Sequence, residues 1–441
     1  MKDRSFQEGA GVRTGDLELH PGIGAEFGYD SNYLLRSHKD GPTISNAAPA
    51  APVEGAGILR ITPSLSIATL SRERKEGDLQ LTPPVLDFRA GLNATYREFF
   101  GAEIIRKQRN VSGAAHVRLD ILPERPFGFG VFGAFERTIH PSTVGNPDLS
   151  FNRDDVSGGA EVVMQPGGGT LDYRLGYQFR ATLFEDTLGV PYTNLTNEAY
   201  MRGRWRFRPR TALLYDGSIR WLHYTQASRA TTLLNDGSPT RARIGMTGLL
   251  TPRVGFLGMV GYGATFFENA NAVYVRQYDS VIGQAELKYF LTAQATENPE
   301  VVTLSVSSIA LGYNRDFQTS FLGNYYSHDR GYLKFVYMFG GRLLLSIDGG
   351  LAAEGYPAVF AVGGAGGATQ ISSEFTDLRA DAGLFAEYRF TNAFGLNTTF
   401  RYTENFSDKQ LPLGQVVGGT GGLYDLSWRR FEAFLGARLF L

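Results

Sequence analysis

Arginine and aspartate residues recur at every second position in several segments of the chain. In TLDYRLGYQFRATLF (170–184), Asp172, Arg174 and Arg180 alternate with bulky apolar residues. Side chains two positions apart lie on the same face of a β-strand, so this spacing predicts a charged row. A basic row can attract an anionic solute or polymer. The arginines of this predicted basic strip are Arg174, Arg180, Arg202, Arg204 and Arg206.

The same charges have a second interpretation. A strand with one face in water needs polar side chains there, and opposite charges on neighbouring strands pair with each other. The charged rows would then be a solvated lining that selects no particular solute. The sequence leaves both interpretations open.

The residue types that catalysis needs show no recognisable spacing. The six histidines are scattered, neither HExxH nor GxSxG occurs, and cysteine is absent. The glycine run at 361–370 lacks the lysine of a phosphate-binding loop. We therefore expect a protein that is not an enzyme and that holds no metal or other cofactor.

The elements that would position these charged rows are long β-strands. The alternation in segment 170–184 is more than twice as long as the about five or six residues usual for a strand in a soluble sheet. A strand that crosses a bilayer at a tilt needs about nine to eleven residues, apolar toward lipid and polar toward water. Similar alternation recurs at 87–97, 110–121, 198–207, 377–390 and 428–441. The pattern predicts an all-β fold, a single transmembrane antiparallel up-and-down β-barrel.

The connections between the predicted strands alternate in length. Tight turns with Pro, Gly or Asn are predicted at 123–126, 166–169, 208–210, 251–253, 339–342 and 391–393. Long polar loops are predicted at 31–55, 140–150, 185–194, 225–240, 355–373 and 406–422. Two turns, at 71–82 and 292–299, are longer than this rule predicts.

Short turns at one rim and long loops at the other are typical of bacterial outer-membrane barrels, with the turns in the periplasm. The count is about 18 strands, with 16 as the alternative, and either even number places both termini in the periplasm. A barrel of this size encloses water, because side chains no longer fill its centre. We expect any occlusion of the lumen to come from a long loop such as 37–57.

Alternation also assigns residues to the two faces of the wall. The predicted pore-lining residues are Asp87, Arg89, Arg97, Arg118, Asp120, Asp172, Arg174, Arg180, Arg202, Arg204, Arg206, Asp216, Arg220, Arg379, Arg389 and Arg401. Aromatic residues near strand ends predict girdles at the two membrane interfaces. The residues assigned to these aromatic girdles are Phe127, Trp205, Phe207, Trp221, Phe390 and Trp428.

Whole-chain composition agrees with a barrel. The 441 residues are 43% apolar and 13% aromatic, yet no apolar run reaches the roughly 18 residues of a membrane-spanning helix. With 43 basic and 44 acidic residues, the chain has no basic field for nucleic acid. We divide it into a short periplasmic tail, 1–15, and the barrel, 16–441. The first residues lack an apolar signal core, so we expect a mature form.

Three segments resemble the β-barrel porin type 2 family, whose members recur among envelope barrels associated with exopolysaccharide loci. The segments are 17–35, 61–70 and 311–339, and the best local matches are the YDSN turn at 29–32 and the proline-containing second strand. The resemblance implies an outer-membrane conduit, with a secreted polysaccharide as its cargo, delivered by inner-membrane and periplasmic partners.

The leading hypothesis is a Gram-negative, porin-like outer-membrane channel, and a polysaccharide exit pore is its more specific form. The alternative is a structural or docking barrel of an envelope-spanning complex for motility, adhesion or secretion, with little conductance. A soluble β-propeller or lectin is the third hypothesis and predicts solubility without detergent. The expected partners are outer-membrane lipid and lipopolysaccharide, a polysaccharide or small polar solutes, and periplasmic export or envelope-complex proteins, but no nucleic acid.

Overall fold

The computed structural model of the chain is a closed β-barrel. It describes residues 11–37, 53–69, 84–139, 151–167, 169–187, 190–226, 233–268, 276–291, 307–362, 368–411 and 424–440. Eighteen long strands form the wall, each antiparallel to both of its neighbours. The predicted antiparallel barrel of 18 strands is therefore confirmed, and the alternative of 16 strands is wrong.

The wall strands are numbered here in chain order. The first nine are β1 Leu17–Asp30, β2 Ala56–Thr69, β3 Leu86–Phe100, β4 Asn110–Ile121, β5 Phe127–Thr138, β6 Arg153–Met164, β7 Leu171–Phe184, β8 Asn194–Arg208 and β9 Thr211–Tyr224. The other nine are β10 Gly237–Thr251, β11 Val254–Phe267, β12 Asp279–Phe290, β13 Ser308–Ser320, β14 Asn324–Phe339, β15 Leu343–Tyr356, β16 Phe375–Arg389, β17 Phe394–Phe406 and β18 Trp428–Phe440. Strands of such length can cross a bilayer at a tilt.

The two faces of the wall differ in polarity. Exposed large hydrophobic side chains of the described strands have the register of the outer face, for example Phe27 on β1, Leu175 on β7 and Leu435 on β18. Most charged side chains of the described strands lie at the alternate, interior positions. Because successive side chains of a strand point to opposite faces, one sequence rule builds both surfaces. An apolar exterior around a polar interior is the arrangement of a membrane-spanning barrel.

Among the described strand residues, charges on the outer face are confined to the rim that carries the long loops. Glu98, Asp329 and Glu404 lie there, and the hydroxyls of Tyr96, Tyr313 and Tyr402, respectively, donate to them. Tyrosines with an apolar ring and a hydrated hydroxyl are favoured at a membrane interface. These pairs mark the level at which the apolar band ends.

The connections fall on two rims, as the sequence predicts. All six tight turns lie at one rim, called here the turn rim, together with the start of β1 and the end of β18. The long loops lie at the opposite rim, the loop rim. The two longer turn-side connections, after β2 and after β12, lie largely outside the described residues, as do most of loop 37–57, loop 140–150 and the glycine-rich segment within 361–370.

Two features of the loop rim differ from the predicted pattern. The connection between β13 and β14 has only three residues, 321–323. The connection between β3 and β4 contains a short helix, Glu103–Arg106. At the turn rim, a short strand, Val12–Thr14, pairs with the start of β1. Residues 1–10 lie outside the described residues, so the boundary between tail and barrel stays a prediction.

Pairing of β1 with β18 closes the barrel, and side chains hold this seam. Asp30 is fully buried and accepts a hydrogen bond from Arg430 Nε at 3.0 Å. The Arg60 guanidinium lies 3.5 Å from the centroid of the Phe434 ring. A one-residue slip would move these charges to the lipid face, so the contacts favour a single register.

The first residues of the loop after β1 cover this seam. Tyr33 packs against Phe99, with 4.6 Å between ring centroids, and Leu34 is fully buried in the same apolar cluster. Burial raises the pKa of the Tyr33 hydroxyl above its ordinary value, although the nearby Arg97 guanidinium opposes the shift. The chain entering this loop is therefore anchored at the closure of the barrel.

Candidate functional site

The barrel interior is the candidate functional site, because it collects the ionisable side chains of the strands. Strand register places every predicted lining residue on this face. They are Asp87, Arg89, Arg97, Arg118 and Asp120 on β3 and β4, Asp172, Arg174, Arg180, Arg202, Arg204, Arg206, Asp216 and Arg220 on β7 to β9, and Arg379, Arg389 and Arg401 on β16 and β17. Their part in solute passage stays a prediction.

Glu161, on β6, is the centre of the charged wall between β4 and β9. Its carboxylate accepts hydrogen bonds from the Arg118 guanidinium, from Arg174 Nη1 at 3.2 Å and from the Tyr200 hydroxyl at 2.9 Å. The Glu161 side chain is 5% exposed. A buried carboxylate is stable when several donors satisfy it, and here two cations do so. These residues line an open cavity of about 640 Å³ on the interior wall.

Most of the predicted basic strip is compensated by acidic side chains. Arg202 Nε lies 3.5 Å from Asp216, and Arg204 Nη2 lies 3.9 Å from Asp172. Arg174 contacts both Asp172 and Glu161. The strip is therefore a lattice of both signs. Its two members whose side chains have no ion-pair or hydrogen-bond partner among the described residues are Arg180 and Arg206.

The opposite wall repeats this pairing. Arg379 Nη1 lies 3.1 Å from Glu354, and Arg330 Nη2 lies 2.7 Å from Asp381, two strands away. Near the turn rim, Glu387 is almost completely buried and lies 3.0 Å from Arg389 Nε. Pairs that skip a strand require side chains to extend along the concave surface. They stiffen the wall as well as line it.

The aromatic residues divide between the faces. Phe127, Trp205, Phe207, Trp221 and Phe390 lie exposed on the outer face near strand ends. Trp428 does not. The pairing of β17 with β18 places it on the same face as Arg430 and Glu432, so it belongs to the interior set and not to an outward girdle. The alternation of the residues that follow already places Trp428 on the face of Glu432 and Arg438, so its assignment to a girdle rested only on its position near the strand end.

An apolar cluster, called here the mouth cluster, lies at the loop-rim mouth of the barrel. It joins residues from strand ends and connections that are far apart around the barrel. The cluster consists of Phe184, Val190, Tyr192, Leu222, Tyr224, Leu234, Tyr356, Val359, Ala361, Phe375 and Leu411. Apolar residues from opposite sides of a hydrated opening bury one another only if the loops fold inward.

The hairpin at 316–326, formed by the ends of β13 and β14, reaches this cluster by leaving the wall. The register between β12 and β13 ends at Gly283 and Arg315. Phe321, in the turn, stacks on Tyr192 with ring centroids 4.2 Å apart and an interplanar angle of 7°. Tyr192 belongs to the connection between β7 and β8. The turn is tight because Gly323 and Asn324 adopt positive φ, a region that Gly and Asn tolerate.

Arg241, on β10, holds this infolded hairpin. Its Nε lies 2.9 Å from Asp316 Oδ1, its Nη2 donates to the Phe317 carbonyl, and its guanidinium lies 4.1 Å from the Phe317 ring centroid. Gly263, on β11, makes the approach possible, since a Cβ there would lie 2.7 Å from the Phe317 ring. Arg241 is nearly buried, so its positive charge depends on the Asp316 carboxylate for compensation.

Histidine and carboxylate side chains are the groups that would form a metal site in this chain. No group of three or more His, Asp or Glu side chains there is placed to hold a metal ion. His116, on β4, lies on the interior face beside Gly91, and His223 lies next to Asp236 at the loop rim. Among the described helices, none is long and apolar enough to cross a membrane.

Comparisons with known proteins give a likeness of fold alone. No family model matches the chain, and no curated protein matches it. The resemblance to the porin type 2 family is therefore not confirmed and stays a prediction.

Three solved structures share the barrel arrangement at low similarity. A mutant of the ferric enterobactin receptor PfeA from Pseudomonas aeruginosa has 12% identity and a TM-score of 0.42, over 96% of this chain and 80% of that one. OccAB4 from Acinetobacter baumannii has 10% identity and a TM-score of 0.41, over 96% of this chain and 98% of that one. The copper transporter OprC has 9% identity and a TM-score of 0.45, over 98% and 81%. TM-scores this low support no conclusion about function.

Sequence reasoning missed the infolded hairpin and Arg241. The mouth cluster was not predicted either, although Tyr192 stands in the predicted polar loop 185–194, where an aromatic residue is unexpected. An aromatic residue within a predicted loop is the signal that would have indicated a packed mouth. The pairing of Arg241 with Asp316 spans 75 positions and has no local signature.

Proposed function

We propose that this protein is a bacterial outer-membrane channel that passes small polar solutes, with its turn rim in the periplasm. One observation carries the proposal: a single closed wall of 18 strands has an apolar outer face and a charged inner face. Barrels of about 16 to 18 strands enclose an aqueous channel. We expect lipid and lipopolysaccharide to contact the outer face, and we expect no enzymatic activity.

The mixed charge of the interior favours solutes that are polar and hydrated. Arginine and carboxylate rows on both walls create a strong transverse field without a net charge of one sign. Such a surface orients dipolar solutes and retards apolar ones, since an apolar solute gains nothing from leaving water there. This supports a solute channel more than a conduit for hydrophobic cargo.

Reconstitution in planar bilayers tests the proposal. Purified, folded barrel is expected to produce stepwise ion conductance, whereas the same protein unfolded by heat before addition is expected to produce none. The channel proposal would be overturned by a folded barrel that inserts, as shown by protease protection, but never conducts. The result must also hold for a variant in which the hairpin at 316–326 no longer closes the mouth.

The mouth cluster favours a second function, a structural or docking barrel of an envelope complex. Loops that bury apolar residues over the lumen restrict passage and present a fixed surface. The same conductance measurement separates the two functions. Polysaccharide export follows from the family resemblance alone, and it remains the more specific hypothesis without an observation on the described residues in its favour.

A further inference from the structure

We propose that the infolded hairpin and the wall beneath it form a binding site for a small carboxylate with a planar apolar ring. This inference rests on the proposed channel function and names a class of solute for it. The site, called here the hairpin chamber, has a volume of about 420 Å³. Pockets for small molecules usually measure about 300 to 1,000 Å³, so the chamber has a suitable size.

The chamber is built from parts of the barrel that are not neighbours. Strands β6 to β10 supply its floor, including Arg180, Thr196 and Tyr224. The hairpin supplies its roof, including Phe317 and Phe321. The ion pair between Arg241 and Asp316 fixes the distance between floor and roof. The cavity therefore exists because the hairpin folds inward.

Three of the four arginines of the hairpin chamber have their own carboxylates. Arg153 Nε lies 3.0 Å from Asp155, Arg220 Nε lies 3.1 Å from Glu198, and Arg241 Nε lies 2.9 Å from Asp316. Each of these guanidinium charges is neutralised before a solute arrives. They stabilise the walls and leave little net field.

Arg180 is the fourth arginine, and its side chain has no ion-pair or hydrogen-bond partner among the described residues. It is exposed toward the chamber and lies between Ser157 and Thr196 on the adjacent strands. A guanidinium presents a planar pair of donors that matches a carboxylate. The free charge of the hairpin chamber is therefore positive, and it suits one carboxylate.

The roof of the chamber and the adjoining end of its floor are aromatic. Tyr224, Phe317, Phe321 and Tyr326 line it. Aromatic faces favour flat apolar groups, because such groups bury apolar surface and make ring contacts against them. A solute with a carboxylate at one end and a flat ring at the other would place each group against its complement. A fully hydrated anion such as chloride would use the arginine alone.

The test compares nicotinate with nicotinamide, which share a ring and differ in charge. Each is added on the loop side of conducting barrels in a planar bilayer, and the concentration that halves the current is measured. Binding of each labelled compound to folded barrel in detergent is measured by equilibrium dialysis, which needs no conductance. Nicotinate is expected to bind saturably and to reduce the current, and nicotinamide is expected to do neither at the same concentrations.

Arg180→Gln and Arg206→Gln are the matched variants. Both remove an interior arginine with no partner among the described residues, but Arg206 lies near the turn rim and does not line the chamber. Arg180→Gln is expected to weaken nicotinate binding at least tenfold, Arg180→Lys less, and Arg206→Gln not at all. Folding of each variant is verified by heat-dependent mobility on a denaturing gel.

The outcomes separate the inference from the proposed function. Equal binding of nicotinate and nicotinamide, or equal loss in the Arg180→Gln and Arg206→Gln variants, overturns the chamber, while conductance still supports a channel. Arg180-dependent binding by a barrel that does not conduct retains the chamber and overturns the channel. Arg180-dependent binding together with current reduction supports both.

Discussion

At the scale of single residues, the face of the wall on which a side chain lies decides whether its charge stabilises or destabilises the barrel. Glu161 is almost buried yet charged, because two arginines and a tyrosine donate to its carboxylate. The same carboxylate on the outer face would meet hydrocarbon. Adjacent positions of one strand therefore have opposite requirements, which can be measured directly.

Leu92 and Asn93, in the middle of β3, provide that measurement. Leu92 is 57% exposed on the outer face, and Asn93 lies on the interior face. Leu92→Arg is expected to destabilise the barrel by about 2 to 4 kcal/mol, because a guanidinium near the bilayer midplane loses its hydration. Asn93→Arg, the control, places the same group in water and is expected to cost far less. Urea unfolding in phospholipid vesicles measures both, and equal losses would show that the faces are assigned incorrectly.

Charge selectivity depends on which arginines have partners. Replacing Arg202, Arg204 and Arg206 with Gln leaves Asp172 and Asp216 with fewer cations, so the channel is expected to shift toward cations. The reversal potential under a potassium chloride gradient measures this shift. Arg137→Gln, at the loop end of the outer face, is the control and is expected to change nothing. An unchanged reversal potential in the triple variant would contradict a role of this wall in selectivity.

The charged rows were visible in the sequence, but their pairing was not. Alternation identified Asp172 and Arg204 as interior residues, and only the register of β7 against β8 shows that they face each other. Register depends on the connection between the strands and on the packing of both faces. The sequence thus predicted a basic strip, and the structure shows that Arg180 differs from Arg174 in having no partner among the described residues.

At the scale of elements, strands with strong alternation were predicted well. Segment 170–184 corresponds to β7, Leu171–Phe184. The infolded hairpin was not predicted, because the register that ends at Arg315 is determined by Arg241, far away in the chain. Trp428 was assigned to the wrong face because that assignment rested on its position near the strand end, whereas the alternation that follows places it with Glu432 and Arg438. Local pattern determines a strand's existence, and distant contacts determine where it leaves the wall.

The seam between β1 and β18 is the element whose failure would open the barrel. Arg430→Ala leaves the buried Asp30 carboxylate without its cation. Removing one partner of a buried ion pair typically lowers the free energy of unfolding by about 3 to 5 kcal/mol. The urea midpoint is therefore expected to fall markedly. Arg89→Ala is the matched control, since Arg89 is 64% exposed beside Asp87. An exposed pair contributes at most about 1 kcal/mol.

The double variant Asp30→Asn with Arg430→Gln distinguishes the lost charge balance from lost packing. Removing both charges leaves polar groups of similar size at the seam, so part of the stability is expected to return. If Arg430→Ala unfolds at the same urea concentration as Arg89→Ala, the buried pair does not hold the seam.

At the scale of the whole molecule, a wide lumen is combined with an apolar cluster at the loop-rim mouth. The wall provides space for water and solute, and the mouth cluster with the infolded hairpin narrows the way in at the loop rim. Conductance then depends on the mouth more than on the wall, because a narrow section dominates the resistance of a pore. Phe321 is the contact that joins opposite sides of this mouth.

Phe321→Ala is therefore expected to raise single-channel conductance severalfold. The substitution removes the stack on Tyr192 and the edge contact with Phe184, whose ring centroid lies 5.7 Å away, while the Arg241 contacts that hold the base of the hairpin remain. Phe406→Ala is the control, because Phe406 is exposed at the loop end of the outer face and lies away from the mouth. Vesicle swelling with sugars of increasing size should show a higher size limit for Phe321→Ala and the original limit for Phe406→Ala. Identical conductance and size limits in both variants would mean that the mouth cluster does not restrict passage and that the interior wall sets the width of the pore.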